Sequence, residues 1–275
     1  MLGQRILTVA VVLPLFLAAL LLLPSLHWSL LMVAVLAVAG REWSRLAGYG
    51  RLGRWLFPAL MVASALCILM AERAFDPGRS FIYTGPGKLM YGLSAAFWLA
   101  IAPPWLYNRW PSRDPILLGF VGWIVLVPFW HAMTWLQASP ERLLLAMGLV
   151  WTADIAAYFA GRAFGRHKLA PAISPGKTWE GVIGALIAVT IYGIVVNSIL
   201  PAFSGHLLAG LVWVAVLTGV SIEGDLFESW MKRLAGLKDS GSLLPGHGGL
   251  LDRVDALSST VPLAALYFAY PVLRA

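Results

Sequence analysis

Nine apolar runs of roughly membrane-spanning length organise this 275-residue chain. Each run approaches the about 20 residues that a helix needs to cross the hydrocarbon core of a bilayer. Hydrophobic residues make up 60% of the sequence and charged residues only 12%, as is typical of proteins with several membrane helices. The sequence therefore predicts an all-α, polytopic integral membrane protein with about nine transmembrane helices. The runs lie at about 5–23, 26–42, 55–71, 89–107, 115–136, 142–162, 180–200, 206–225 and 255–273.

Two of these runs have irregular features. The first follows Arg5 and resembles a secretory signal peptide, but no small-residue cleavage site follows it and further apolar runs do, so we expect a retained helix. The run at 89–107 is interrupted by Pro103-Pro104, a pair that disfavours a continuous helix. We expect one membrane unit with two regions, N-terminal helices over 1–140 and a C-terminal helical region with the charged loops over 141–275.

Lysine and arginine are distributed unequally between the loops. With the N-terminus on the inner side, the inner segments hold fifteen Lys and Arg residues and the outer segments hold five. Positive residues accumulate on the cytoplasmic side of membrane proteins, and a count of eight or ten helices would scramble this asymmetry. The nine-helix arrangement therefore places both charged loops, 163–179 and 226–254, in the cytoplasm.

The formal charge of +7 has an explanation in the membrane. In a soluble protein such a charge would suggest nucleic acid as a partner. Here it serves orientation and contact with anionic lipids or nucleotides, so we expect no nucleic-acid partner. The single cysteine, Cys67, excludes a disulfide within the chain and a thiolate metal site.

The densest group of charged residues lies between Asp225 and Asp255. Asp225 and Glu228 are three residues apart, as are Asp252 and Asp255, so each pair shares one face if its segment is helical. Between them, Pro245-Gly246-His247-Gly248-Gly249 cannot continue a helix and lets the backbone approach a ligand. One interpretation is a solvated loop whose charges pair with one another and with lipid head groups. The ordered carboxylates favour the other, a site for a divalent metal and a phosphate ester.

A second polar segment, residues 174–181, is predicted to open a helix. Ser174 would be its N-cap, Pro175 its first helical residue, and Glu180 a favourable acid in its first turn. The N–H groups at a helix start also suit a phosphate, and Lys177 would add a positive charge. Helix capping and phosphate binding both remain open interpretations of this segment.

Three further acidic residues lie in or at the ends of apolar runs. Asp154 lies roughly 12 Å along the helix axis from Arg162, a depth at which an ionisable residue is functional or pairs with a polar group on another helix. Asp225 is expected at the end of its apolar helix, where a divalent cation would keep it ionised. Glu42 is expected to pair with Arg41 or Arg45, and we assign it no chemistry.

Three sequence blocks resemble the signatures of the phosphatidate cytidylyltransferases, also called CDP-diacylglycerol synthases. Together they extend over roughly residues 150–260, whereas the N-terminal half resembles the family only in being a set of apolar helices. The blocks are Asp154-x-x-Ala157-Tyr158-Phe159-x-Gly161-Arg162-x-Phe164-Gly165, then Ser174-Pro175-Gly176-Lys177-Thr178-Trp179-Glu180-Gly181, and then Ser229-x-x-Lys232-Arg233-x4-Lys238-Asp239-x5-Leu244-Pro245-x-His247-Gly248-Gly249-x-x-Asp252-Arg253-x-Asp255.

The resemblance implies an enzyme that converts CTP and phosphatidic acid into CDP-diacylglycerol and pyrophosphate in phospholipid biosynthesis. Both reactants are anions, so Mg²⁺ and basic side chains would neutralise them before in-line attack of the lipid phosphate on the α-phosphorus. A second, monovalent cation such as K⁺ is compatible with such a site. The family further implies a homodimer among membrane lipids, in a bacterial inner membrane with the site facing the cytoplasm.

The resemblance also implies a role for each matching residue. Asp225 and Asp252 would hold the metal. Asp255 would be a further ligand, or a carboxylate that contacts the ligands and not the metal itself. The catalytic set is then Asp225, Asp252, Lys177 and Arg253, of which Lys177 and Arg253, together with Lys238, would contact phosphates. His247, Gly248 and Gly249 would shape the nucleotide pocket, Asp154 and Asp239 would organise these groups, and Ser174, Lys232 and Arg233 complete the substrate-binding residues.

Two other classes of membrane protein share some of these sequence features. A CDP-alcohol phosphatidyltransferase also uses aspartates and magnesium, but its DG-x-x-AR block is absent here. A transporter or channel could use Asp154 in an ion path, but the chain has no internal repeat and its charge is concentrated outside the apolar runs. Radiolabel transfer from CTP into lipid by the purified protein would distinguish the enzyme from both alternatives.

The charge distribution makes a prediction about topology. With nine spans and the N-terminus inside, reporter fusions in loop 163–179 and at Ala275 should report opposite sides of the membrane. Two fusions on the same side would contradict the nine-span arrangement and would separate the halves of the predicted site.

Overall fold

We describe the protein from a computed structural model. The structure describes residues 2–74, 80–199, 207–243, 246 and 248–270, and the side chains of residues 2–7 and 74 are left aside. The helices are α1 (Leu2–Leu22), α2 (Ser25–Leu46), α3 (Gly53–Ala74), α4 (Gly85–Ala96), α5 (Ala102–Asn108), α6 (Pro115–Leu136), α7 (Pro140–Phe164), α8 (Trp179–Ile199), α9 (Leu207–Leu234) and α10 (Leu251–Ala269), with a short 3₁₀ turn over Phe81–Tyr83.

The helices coincide with the predicted apolar runs, which confirms an all-α membrane protein. Six helical segments of the described residues are long and apolar enough to cross a membrane, whereas α1, α2 and α10 are not among them. The count of nine spans is therefore not confirmed. The six segments are Gly53–Arg73, Gly85–Asn108, Pro115–Leu136, Pro140–Phe164, Trp179–Ile199 and Leu207–Leu234.

The Pro103-Pro104 pair does not break its helix. A π-helical turn over Phe97–Ile101 joins α4 to α5, so the chain stays helical from Gly85 to Asn108. Proline lacks an N–H and crowds the carbonyl four residues earlier, and the wider π turn directly before the pair accommodates both effects.

The predicted helix start at Ser174 is wrong. Ser174–Thr178 forms strand β2, which pairs antiparallel with β1 (Lys168–Ala170). The helix α8 begins only at Trp179, and the N–H of Gly181 donates to Oγ1 of Thr178 at 3.2 Å. Thr178 therefore supplies the capping oxygen that we had assigned to Ser174, because cross-strand pairing outcompetes a local capping pattern.

The helix α9 is longer than its apolar run. Asp225 therefore lies inside the helix, whereas we had predicted it at the helix end. At 28 residues it is about 40 Å long, against about 30 Å for the hydrocarbon core of a bilayer. The part of α9 beyond the predicted apolar run carries the charged residues Glu228, Lys232 and Arg233. The loop that follows begins after Leu234, not at residue 226.

The packing of α10 joins the two halves of the chain. It contacts α7 and α9 from the C-terminal half and also α2, α4 and α6 from the N-terminal half. The helix α2 is in turn tied to α6 at two points, because the indole of Trp28 donates to the carbonyl of Met133 at 3.0 Å and that of Trp43 to Leu118 at 2.8 Å. These contacts place the start of α10 against the end of α2.

Candidate active site

A cavity of about 470 Å³ opens between α7, the β-hairpin, α8 and α9. Charged and hydroxyl side chains enter it from three of these elements, since α7 supplies two charged residues, β2 a lysine and α9 an aspartate. Its polar lining includes Asp154, Tyr158, Arg162, Ser174, Lys177, Thr178 and Asp225. Several residues predicted from separate blocks of the sequence therefore share one cavity.

An ion pair connects the hairpin to α9 in this cavity. Nζ of Lys177 lies 2.7 Å from Oδ2 of Asp225, and it also donates to the carbonyl of Ile222 at 3.3 Å. Both charged side chains are partly exposed, at 24% and 33%. Because Lys177 belongs to a strand and not to a helix start, its charge is directed at a carboxylate on a neighbouring helix.

Asp154 lies at the meeting point of two cavities. Its carboxylate interacts electrostatically with Asp225 and with Lys177 in the polar cavity. It also lines a second cavity of about 470 Å³, in which Arg253 and Asp154 are the charged side chains among the described lining residues and the remainder is almost entirely apolar. A charged cavity and an apolar one therefore adjoin at a single carboxylate.

Asp252 is the centre of a second charged cluster, at the start of α10. Its Oδ1 lies 2.6 Å from Nζ of Lys232, which is also 3.4 Å from Oε2 of Glu228. Its Oδ2 accepts from the N–H of Gly249 at 2.7 Å, and from the N–H and the hydroxyl of Ser240 at 2.9 and 3.0 Å. Burial by itself raises the pKa of Asp252, but Lys232 and these backbone donors outweigh it and hold the pKa below its usual value.

Asp255 connects the two clusters. Its carboxylate interacts electrostatically with Asp225 of the polar cavity and with Glu228 of the second cluster. Asp225 and Glu228 both lie within α9, and Asp252 and Asp255 both lie within α10. Both segments are helical, so the condition under which each pair shares one helix face is met, although Glu228 and Asp252 were predicted to lie in the loop 226–254.

The remaining predicted residues differ in how close they come to these clusters. Gly248, at φ +82°, lies against Asp252, since a Cβ atom there would be 2.7 Å from Oδ2. Nε of Arg233 donates to the carbonyl of Ile173, at 3.4 Å, and so contacts the hairpin. Lys238 and Asp239 are exposed in the loop after α9. His247 lies outside the described residues.

The sequence prediction for Glu42 is wrong. The side chain is buried, with 5% exposed, and pairs with neither Arg41 nor Arg45. Its Oε2 accepts from the hydroxyl of Ser240 at 3.0 Å and from the N–H of Leu251 at 2.8 Å, and its Oε1 accepts from the N–H of Leu250 at 3.0 Å. An acidic residue at the end of a largely apolar helix was the signal available, but its partners lie about 200 residues away in the chain.

Arg162 and Ser240 are further polar residues that the sequence prediction did not select. Nη1 of Arg162 donates to the hydroxyl of Tyr158 at 3.0 Å, and both side chains line the polar cavity. Ser240 is fully buried between Glu42 and Asp252. Arg162 adds a second positive charge to the cavity beside Lys177.

The charge balance of the two clusters bears on metal binding. No group of three or more Asp, Glu, His or Cys side chains within the described residues is close enough to form a ready metal site. The clusters nevertheless hold five carboxylates against two ammonium groups and the guanidinium of Arg162, and the carboxylate oxygen atoms are the hard donors that Mg²⁺ prefers. The carboxylates are Asp154, Asp225, Glu228, Asp252 and Asp255, and the ammonium groups are Lys177 and Lys232. The donor set and its excess negative charge fit a divalent cation, for which the ammonium contacts would be exchanged.

Comparison with known proteins gives matches over the whole chain. Residues 3–271 match the model of the cytidylyltransferase family. A Pseudomonas aeruginosa protein named phosphatidate cytidylyltransferase is 39% identical over 273 residues, which is 98% of each chain. A Haemophilus influenzae protein of the same name is 34% identical over 98% of this chain and 99% of its own. A third, from Brucella suis, is 50% identical over 128 residues, or 46% of each chain.

The contacts of Asp252 predict a pH dependence of stability. Because its pKa in the folded protein is lowered, the stabilisation from its ionised form is complete above the ordinary Asp value of about 4 and is lost as the pH falls through the folded value. The difference in unfolding temperature between the wild type and Asp252→Asn in detergent should be constant from pH 7 to about 4 and shrink below it. A difference that grows as the pH falls from 7 to about 4 would contradict the lowered pKa, because a carboxyl group with a raised pKa in the folded protein stabilises the fold when it is protonated.

Proposed function

The chain belongs to the cytidylyltransferase family of enzymes, and from this membership we propose that it transfers the cytidylyl group of CTP to phosphatidic acid. The products are CDP-diacylglycerol and pyrophosphate. The proposal takes its substrates from the names of the Pseudomonas and Haemophilus relatives, which match over nearly the full chain.

The observation that supports a lipid substrate is that the charged cavity and the apolar cavity meet at Asp154. Phosphatidic acid has a phosphate head and two acyl chains, so its seat requires positive charge beside apolar surface. Lys177 and Arg162 supply the charge in the polar cavity, and Arg253 supplies it at the apolar one. A substrate that is polar throughout would make no use of the second cavity.

The chemistry requires positioning more than proton transfer. An oxygen of the lipid phosphate, already ionised, attacks the α-phosphorus of CTP, forming a new P–O bond as the bond to the bridging oxygen of the β-phosphate breaks. Pyrophosphate leaves with that electron pair, so no strong general base is needed. Lys177 and Arg162 would reduce the repulsion between the two anions and orient them for in-line attack.

A magnesium ion would be held by Asp225, Asp252 and Asp255. When bound, it would supply positive charge to the phosphate oxygens of CTP. In the structure Lys177 neutralises Asp225 and Lys232 neutralises Asp252, at 2.7 and 2.6 Å. A second, monovalent cation such as K⁺ and a homodimer stay predictions from the family resemblance.

The proposed location follows from the two substrates. One is soluble in the cytoplasm and the other is embedded in the bilayer, so the reaction must occur at the interface between them. The charged end of α9 and the start of α10 would lie at the cytoplasmic face of a bacterial inner membrane, as the lysine and arginine distribution predicts.

The direct test is transfer of label from [α-³²P]CTP into lipid by purified protein with phosphatidic acid and Mg²⁺. We expect labelled CDP-diacylglycerol with one pyrophosphate released per lipid formed, and no label in lipid when diacylglycerol replaces phosphatidic acid. Transfer of a phosphatidyl group from CDP-diacylglycerol to an alcohol, without reaction of CTP, would instead place the protein among the phosphatidyltransferases.

Lys177→Met should lower kcat by roughly 30- to 1000-fold, corresponding to the about 2–4 kcal/mol of one lost electrostatic stabiliser. Lys177→Arg should recover only part of the rate, since a planar guanidinium does not reproduce a compact ammonium. The matched control is Lys168→Met, an exposed lysine on the other strand of the hairpin, which should keep the wild-type rate. A wild-type rate in Lys177→Met would limit that residue to a structural role.

Asp252→Asn should nearly abolish turnover while the protein still inserts and purifies normally. Loss of the negative charge weakens binding of a hard divalent cation far more than it disturbs packing. Glu141→Gln, at an exposed acid in the first turn of α7, is the control for loss of one carboxylate. Near-normal activity of Asp252→Asn at high Mg²⁺ concentration would show that Asp252 is not a required ligand.

A further inference from the structure

We propose that Glu42, on α2, is a positioning residue for the reaction, which sets the place of Asp252 through Ser240 and the start of α10. The proposal rests on the proposed function for its kinetic consequence. Glu42 lines neither the polar nor the apolar cavity among the described residues, so it would act through other residues and not by touching a substrate.

The geometry consists of three donors that converge on one buried carboxylate. Two are backbone N–H groups of Leu250 and Leu251, at 3.0 and 2.8 Å, and the third is the hydroxyl of Ser240, at 3.0 Å. The N–H groups at a helix start have no partner within the helix, and the helix dipole gives this end a partial positive charge. An ionised carboxylate accepts from these N–H groups and also offsets the positive charge. Glu42 therefore acts as a cap for α10 from a helix about 200 residues earlier in the chain.

Ser240 links Glu42 directly to Asp252. Its hydroxyl oxygen lies 3.0 Å from Oε2 of Glu42 and 3.0 Å from Oδ2 of Asp252, and its backbone N–H also donates to that Oδ2. A hydroxyl carries one proton, so it can donate to only one carboxylate at a time. Ser240 contacts Asp252 through both its backbone N–H and its hydroxyl. A change at Glu42 that displaces Ser240 would therefore alter both contacts.

The loop before α10 is shaped to fit this carboxylate. A Cβ atom at Gly241 would clash with Oε1 of Glu42, and one at Gly249 would lie 2.6 Å from its Oε2. The absence of side chains at both positions lets the backbone close on Glu42 from two sides. The same close approach brings the N–H of Gly249 within 2.7 Å of Asp252.

The helix that carries Glu42 is itself held in place. The next residue, Trp43, is buried and donates its indole N–H to the carbonyl of Leu118 on α6. A Cβ atom at Gly122 would clash with Nε1 of the Trp43 ring and lie 2.6 Å from its Cδ1, so the indole packs directly on the backbone of α6. Glu42 is thus a fixed point in the N-terminal half, against which the loop before α10 is held.

The requirement is for a carboxylate and not merely for a polar side chain of this size. An amide has one acceptor oxygen and one donor NH₂ group. With Gln at this position, the NH₂ group would face the N–H of Leu250 in one orientation and that of Leu251 in the other. In either orientation the NH₂ group and a backbone N–H, both donors, would face each other in a buried site. The start of α10 must shift to separate them.

The experiment compares Glu42→Gln with Glu72→Gln. Glu72 is a matched control because its carboxylate also accepts several contacts, from His131 at 3.2 Å, the N–H of Phe81 at 3.0 Å and Ser80 at 3.5 Å, away from the two clusters. With activities normalised to folded protein, Glu42→Gln should lower kcat by roughly 100-fold with KM for CTP within about threefold of wild type, as a small misplacement of a reacting group does. Glu72→Gln should keep both constants near wild type.

Two further measurements separate positioning from general destabilisation. In a double-mutant cycle on kcat, Glu42→Gln and Ser240→Ala should be non-additive, because both act on the same contacts of Asp252. Hydrogen exchange of the amides of residues 249–252 should be faster in Glu42→Gln than in wild type and unchanged in Glu72→Gln, and this readout needs no activity.

The outcomes that would overturn the proposal are distinct from failure of the proposed function. Equal loss of kcat in both Gln variants, an additive cycle, or unchanged exchange at residues 249–252 would each contradict a positioning role for Glu42. Absence of CTP transfer to phosphatidic acid by the wild type would contradict the proposed function alone. In that case the exchange measurement still decides whether Glu42 holds the start of α10.

Discussion

The pairing of buried carboxylates with lysines and backbone N–H groups is the interaction on which this site depends. An isolated charge at a membrane interface loses solvation that only another charge or a set of hydrogen bonds can replace. Lys177 meets that need for Asp225, and Lys232 meets it for Asp252. These pairs join the β-hairpin to α9 and α9 to α10, so the elements that carry the chemistry are held together by the groups proposed to perform it.

The same pairing gives the N-terminal half of the chain a part in the site. Glu42 reaches from α2 to the start of α10, and α2 is bound to α6 through the indoles of Trp28 and Trp43. The resemblance to a known family involved only the C-terminal half in detail. The hydrogen bonds of Glu42 with the start of α10 therefore connect the first helices to the half of the chain that carries the family motifs.

The sequence predicted some parts of the site better than others, for physical reasons. Except for α9, the apolar runs gave the helices to within about four residues at each end, because a membrane span is a local property of length and hydropathy. The segment at Ser174 was predicted as a helix start because its serine, proline and acid match a capping pattern, yet it pairs as a strand with Lys168–Ala170. Asp225 was placed at a helix end because the apolar run stops there, whereas α9 continues through Leu234.

The sequence by itself determined the membrane class, the approximate positions of the helices, the family and most of the charged residues that meet in the two clusters. These follow from composition, run length and short motifs, all of which are properties of neighbouring residues. Only the tertiary structure decided which carboxylate pairs with which lysine, and that Glu42 belongs to the site at all. Its partners Ser240, Leu250 and Leu251 lie about 200 residues away, and hydrogen bonding between such distant groups leaves no local pattern from which they could be chosen.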